Sequence, residues 1–265
     1  MTGLTLSAAA ALRAPVSTEV FDEALAVNFF RDLLGPFGAK PNEERLRDGT
    51  QVQHRQLAET LVAADGIRDS RPQLVVVAHA LPDLVPFTAV APMLTERLGG
   101  GATCFSISEQ GLAAPFTALR VAAAYHRSAR ADEVLLAVLE QTTLPEPFPS
   151  VDENQLVDSG VLLALNSTGT GGLTLDRAGF AESVADALAE YPADDRTLVV
   201  VGSWVDDAVP GGYAVHRAGP GSYCTGTWLE LADNWTDWQQ KYATVVLCDT
   251  DPRSGRTCRA VFTTR

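Results

Sequence analysis

ATCFSISEQGLAAPFTALRVAAAYHR, residues 102–127, changes character in its middle. Ala102–Ser108 reads as a buried strand. Leu112–Arg127 reads as a helix, alanine-rich and nearly uncharged, which places it at the centre of a core. Between them lies SEQG, residues 108–111, at a strand-to-helix turn where an enzyme would keep a nucleophile. No nucleophile is there.

The stretch sits inside a longer alternation. Upstream, QLVVVAH (73–79) is a continuous apolar run bounded by Pro72 and Pro82, as expected of a strand covered on both faces. Phe87–Leu98 reads as a helix stopped by Gly99, Gly100 and Gly101, and Gln56–Gly66 has helical spacing through Leu57, Leu61 and Val62. Downstream, EVLLAVL (133–139) and SGVLLAL (159–165) are two more buried strands, followed by a turn, NSTGTGG (166–172).

A shorter version follows. Leu175–Tyr191 has helical spacing, Thr197–Gly202 is a buried strand, and Val209–Gly226 is a Gly- and Pro-rich loop. Thr227–Trp238 is a helix, and Tyr242–Cys248 with Arg256–Thr263 form a hairpin around DTDPRSG (249–255). Near the N-terminus, Leu4–Ala11 is a first strand or helix, Thr18–Leu34 contains an amphipathic stretch, and Ala39–His54 is a polar surface excursion. The pattern predicts an α/β layered protein made of two related halves, 1–166 and 167–265, the second shorter.

Composition excludes several classes. A net charge of −13 argues against nucleic acid and anionic membrane surfaces. No apolar run reaches the length of a membrane span. No basic residue precedes the short apolar N-terminal run, so a cytoplasmic protein is expected. The four cysteines show no CxxC spacing, so neither a metal site nor a cofactor is expected. Cys248 and Cys258 face each other across the expected hairpin, which permits a bridge that a reducing compartment disfavours. An acidic carrier protein as partner would need a basic patch; local candidates are Arg127 with Arg130, Arg68 with Arg71, and Arg253, Arg256 and Arg259.

The string from Leu74 to Thr142 resembles the N-terminal half of thiolase-fold condensing enzymes of the β-ketoacyl synthase III type. DSGVLLAL (158–165) matches a later motif of that half, and TLVVVGSWVDD (197–207), CTGTWLELAD (224–233) and ATVVLCDTDPRSGRTCRAVF (243–262) follow the second half more loosely. The resemblance implies a layered α-β-α-β-α fold. It also implies a dimer in which the Thr103–Ser108 strand meets its mate, in a second copy or in an active ketosynthase.

The departures bear on function. Counted from Phe105, the family's nucleophile falls on Gly111; counted back from Ala118-Leu119, it falls on Leu112. The histidine position falls on Ser203 or Trp204, and the asparagine position near Thr225–Thr227. A condensing enzyme needs a thiolate at a helix N-terminus and donors for the oxyanion. None of these residues supplies them, so ordinary Claisen condensation is not expected.

Other groups in the expected pocket are candidates. Glu109 and Gln110 sit at the elbow, against the plainer reading of Ser108 as a helix cap with Glu109 in the first turn. His79 ends a buried strand, where α/β folds keep ligand crevices. Phe87, next to Pro86, Gly111, Leu112, Ser203, Trp204 and Cys224 are expected to line the pocket. Cys224 is the best surviving thiol and Cys104 a core residue. His54, His126 and His216 read as structural or solvated, and Asp206 and Asp207 as a solvated strand end. The reading favoured is a ketosynthase-like accessory subunit without a nucleophile, in a fatty-acid, polyketide or other natural-product pathway, with acyl carrier protein or acyl-CoA as further partners. The alternatives are an enzyme that decarboxylates, cyclises or transfers an acyl group with Glu109, Gln110 or His79, and a scaffold with no small-molecule role.

Overall fold

All five residues of β2 (Leu74–Ala78, LVVVA) are buried. Two parallel neighbours flank it, β3 (Thr103–Ile107) and β4 (Glu133–Glu140). The computed structural model describes residues 3–18, 22–85, 87–169 and 172–264. Its other strands are β1 (Thr5–Arg13), β5 (Ser159–Asn166), β6 (Leu173–Ala181), β7 (Thr197–Val201), β8 (Ala214–Arg217), β9 (Thr244–Thr250) and β10 (Thr257–Thr264). The order across the sheet is β3-β2-β4-β5-β1-β6-β10-β9-β7-β8.

That order is its own mirror image. From either edge, two parallel pairings are followed by two antiparallel ones: β3-β2-β4-β5-β1 from one side, β8-β7-β9-β10-β6 from the other. The two sets meet at one residue pair, Thr5 with Thr174, whose hydroxyls share a buried hydrogen bond of 2.8 Å. Two residues beyond each threonine the register slips, at Ser7 in β1 and at Asp176 in β6. The bulges therefore obey the same symmetry as the strands.

Helices fill three layers. Helix α3 (His54–Val62) and α4 (Val90–Arg97) cover the outer face of the first five strands, around Val75, Val77, Leu135 and Leu162. Helix α5 (Ala114–Arg127) and α8 (Gly226–Lys241) lie between the two sets, and each touches strands of both. Helix α7 (Val184–Leu188) covers the far face, around Val199, Val201 and Val246. The result is an α-β-α-β-α stack. Three further helices, α1 (Glu23–Leu34), α2 (Glu43–Asp48) and α6 (Pro149–Asn154), decorate it. No helix among the described residues is long and apolar enough to cross a membrane.

Several expectations need correction. Residues 173–181 form β6 rather than the start of a helix over Leu175–Tyr191, and only Val184–Leu188 is helical. The loop expected over Val209–Gly226 contains β8. Ala39–His54 is no plain surface excursion: Asn42 caps α2 by accepting the Arg45 N–H, and Leu46, Val52 and His54 are buried. Cys248 and Cys258 do not face each other. Cys248 pairs with Arg259 and points to the outer cluster, whereas Cys258 pairs with Asp249 and points to the inner one. All four cysteines are free. Leu4–Ala11 belongs to a strand, β1.

Candidate functional site

The elbow is built by backbone. Glu109 has φ +61° and Gly111 has φ +54°, both left-handed, and this lets the chain leave β3 and enter a 3-10 turn, Gly111–Ala113, that runs into α5. The helix start has no side-chain cap, so Ser108 does not play that part. Gln110 instead accepts a hydrogen bond from the Thr117 hydroxyl at 2.6 Å. Glu109 and Gln110 are exposed at the rim of an open cleft of about 480 Å³, which Gly111, Phe180, Asp251, Arg253 and Arg256 also line. Leu112 is turned away into the core.

Gly111 has no room for a side chain. A Cβ there would overlap the carboxylate of Asp251 and lie 2.8 Å from the Tyr223 hydroxyl. Asp251 is 4% exposed. It accepts from the Tyr223 hydroxyl at 3.2 Å and from the Arg253 N–H at 2.8 Å. Burial raises the Tyr223 phenol above its ordinary range, with the Asp251 charge adding to the effect. A carboxylate and a phenol thus occupy the space in front of the helix.

The end of β7 repeats the arrangement. A Cβ on Gly202 would overlap the carboxylate of Asp249. Asp249 is 3% exposed and accepts the Thr250 N–H at 2.9 Å. Burial pushes its pKa up to about 8, with the charges of Asp251 and Glu140 acting in the same direction. Glu140 ends β4 with no exposed surface and accepts the backbone N–H groups of Tyr223, at 2.8 Å, and Cys224. Burial raises it to about 7. Asp158 is also raised by burial and accepts from the N–H and hydroxyl of Thr142. Among the described residues no cluster of three or more His, Cys, Asp or Glu is arranged to hold a metal ion.

The candidates of the sequence separate. Trp204 is half-buried, donates its indole N–H to the Ser222 carbonyl at 2.9 Å and meets the Tyr223 ring edge-on at 5.7 Å. Ser203, Asp206 and Asp207 are exposed. Cys224 is buried, and burial followed by the neighbouring Glu140 holds its thiol well above its ordinary pKa, the opposite of an activated thiolate. Phe87 is exposed and packs edge-on against Phe29; Pro86 lies outside the described residues. His79 lies elsewhere, in a cavity of about 450 Å³ with His54, Asp83 and Cys104, its Nδ1 bonded to the Leu81 carbonyl at 2.8 Å. His54 is buried rather than solvated, which lowers its pKa to about 4. His216 is on β8 and bonds Glu230 at 2.6 Å. The acids at the centre, Glu140, Asp249 and Asp251, were not among the sequence candidates. Their signal is a charged residue closing an apolar run, as in EVLLAVLE and VVLCDTD.

Solved structures share the fold. OleA of Xanthomonas campestris, in crystals with bound lauric acid and lauroyl-CoA, superposes with a TM-score of 0.61 at 11% identity, over 99% of this chain and 99% of that one. The 3-oxoacyl-(acyl carrier protein) synthase III FabH of Pseudomonas aeruginosa does so with a TM-score of 0.61 at 14% identity, over 99% and 98%. FabH of Xanthomonas oryzae gives 0.62 at 12%, over 99% of both chains. The fold is that of the thiolase-type condensing enzymes. At the level of sequence the likeness is faint: no family model and no curated protein matches the chain.

Proposed function

We propose that this chain is a condensing-enzyme-like subunit that does not carry an acyl group itself and works beside an intact ketosynthase in acyl-chain biosynthesis. The observation that carries the reading is the occlusion of Gly111, whose missing side chain leaves the space that the Asp251 carboxylate and Tyr223 hydroxyl fill. A thioester carbonyl has no attacking atom to meet there, and a carboxylate at that point repels the oxyanion that acyl transfer develops. Cys224, the candidate thiol near the centre, is buried and held protonated. A dimer with itself or with a ketosynthase through the β3 edge, and contact with acyl carrier protein or acyl-CoA, belong to this proposal.

The test is intact-mass measurement after incubation with lauroyl-CoA, with release of free coenzyme A followed in parallel. The expected result is an unchanged protein mass and no release. An acyl adduct or steady release would overturn the reading. A second reading rests on Asp249 and Glu140, acids whose pKa values of about 8 and about 7 leave them partly protonated at neutral pH. Groups so poised suit proton transfer in a decarboxylation. Release of carbon dioxide from malonyl-CoA, lost in Asp249→Asn and in Glu140→Gln, would favour it.

A further inference from the structure

Two histidines distant in sequence, His54 and His79, come together in the structure, with ring centroids 4.9 Å apart. His54 opens α3, where Asp83 accepts its backbone N–H at 3.0 Å. His79 follows β2, and its backbone N–H donates to the Ile107 carbonyl at the end of β3. Both rings line the cavity of about 450 Å³ that also holds Asp83 and Cys104. Val77 on its wall faces the outer cluster, whereas Leu112 at the elbow faces the inner one. The cavity and the elbow therefore lie on opposite faces of the first five strands.

Neither ring is fully satisfied. His54 is 2% exposed, yet its Nε2 has no hydrogen-bond partner among the described residues. The Nδ1 of His79 lies 2.8 Å from the Leu81 carbonyl, which can only accept, so Nδ1 carries the hydrogen. In the neutral ring this leaves Nε2 as an acceptor, and it makes no hydrogen bond among the described residues. A buried polar atom without a partner is rare and costly. Two such rings side by side point to a group that the chain does not itself supply.

We propose that this cavity binds a neutral hydroxylated molecule with a short apolar body, an alcohol or a phenol. A hydroxyl both donates to the His79 Nε2 and accepts from an imidazole N–H of His54. An ionised carboxylate or phosphate has no hydrogen for His79, and the Asp83 carboxylate in the same wall repels it. An ammonium group fits no better. Asp83 is already engaged by the His54 and Leu84 N–H groups at Oδ1 and by the Thr88 hydroxyl at Oδ2. A metal ion finds no third protein ligand among the described residues. The remaining walls are apolar, with Val77, Val90, Ala91, Pro92 and Phe105. Cys104, also on the wall, pairs with Val75, four residues before His79, so the cavity follows the strands for about 13 Å. That length suits a ring with a short tail. The proposal stands whether or not the chain is acylated, because no part of it uses the elbow.

The experiment is a calorimetric titration of the full chain with para-propylphenol, beside propylbenzene as the analogue without the hydroxyl. Alkylation of Cys104 by iodoacetamide, followed by mass spectrometry, reports whether the cavity is filled. The phenol should bind at least about tenfold more tightly than propylbenzene, or about 1.4 kcal/mol, and should slow Cys104 labelling at saturation. His79→Asn keeps a donor for the Leu81 carbonyl and removes the Nε2 acceptor, so this variant should bind the two molecules alike. The wild-type comparison decides the matter even where the variant does not fold. No binding of the phenol, equal binding of the two molecules by the wild type, or binding that leaves Cys104 labelling unchanged would overturn the proposal. So would tighter binding of para-propylbenzoate, in favour of an anion site, or displacement of the phenol by zinc ion, in favour of a metal site.

Discussion

Gly111 is required twice, by its backbone angle and by its neighbours. Its φ of +54° costs an L-residue about 1–2 kcal/mol, and the overlap with Asp251 adds about 1–3 kcal/mol of overpacking. Gly111→Ala should therefore lower unfolding free energy by about 2–5 kcal/mol, measured by urea titration. Gly111→Ala/Asp251→Ala should recover the overlap part and leave the backbone part. If the double variant is no better than the single one, Asp251 does not fill that space. The buried acids make a second prediction. In the folded protein Asp249 and Glu140 hold protons up to about 8 and about 7, whereas the unfolded chain releases them near the ordinary carboxylate pKa values of 3.8 and 4.5. The folded state therefore binds more protons between these limits, and stability falls as pH rises. His54 acts in the opposite direction: its folded pKa of about 4 means stability is lost as pH falls below its ordinary 6.5. From pH 6.5 to 8 the carboxyls outweigh His54, whose extra proton in the unfolded chain is lost over the same range. The urea midpoint should fall over that range, and Asp249→Asn should flatten the slope and raise the midpoint most at pH 8. A slope unchanged in Asp249→Asn would remove Asp249 as its source.

The strands show what a sequence hides. β2, β4, β5 and β7 are apolar at almost every position, and such runs announce themselves. β6 does not, because its bulge at Asp176 breaks the alternation. Its inward residues are Leu173, Leu175, Ala178 and Phe180, and the step of three between 175 and 178 imitates a helix. β8 is an edge strand of four residues with alternate residues exposed, set among glycines and a proline, so composition reads it as loop. The central acids escaped notice for a related reason: a lone Glu or Asp at a strand end is usually solvated, and only long-range pairing shows which ones are covered. The hairpin is the plainest case. Its two strands were visible, but their register decides which face each cysteine takes. Cys248 and Cys258 lie on opposite faces with thiols pushed up to about 12 by burial. Native alkylation followed by mass spectrometry should label Cys104, the half-buried thiol on β3, and leave the other three until urea is added. An oxidised Cys248–Cys258 pair in the peptide map would contradict the register.

At the scale of the molecule the mirrored strand order leaves two open edges, β3 and β8. They are unequal. β8 is the short strand, which limits how far another chain can pair with it. β3 has five residues, two of them exposed, and no strand on its outer side among the described residues. Its backbone directions follow from its bonds. The Thr103 N–H donates to the Gln73 carbonyl, and the Ile107 carbonyl accepts from the His79 N–H, so Thr103, Phe105 and Ile107 turn their backbone groups toward β2. Cys104 and Ser106 therefore turn theirs outward, because successive residues of a strand alternate sides. If β3 is the edge through which this subunit associates, Ser106→Pro removes a donor from the open side only and leaves the β2–β3 bonds intact. The variant should keep the wild-type melting temperature of the monomeric fold at high dilution and shift the assembled species toward single chains in sedimentation velocity. Phe105→Pro is the counterpart, because it removes a bond to β2 and should destabilise the fold itself. A Ser106→Pro protein that still assembles as wild type does would place the association surface elsewhere, whereas its loss of assembly with an unchanged fold would leave β3 as the contact and make the ketosynthase partner the next protein to mix with it.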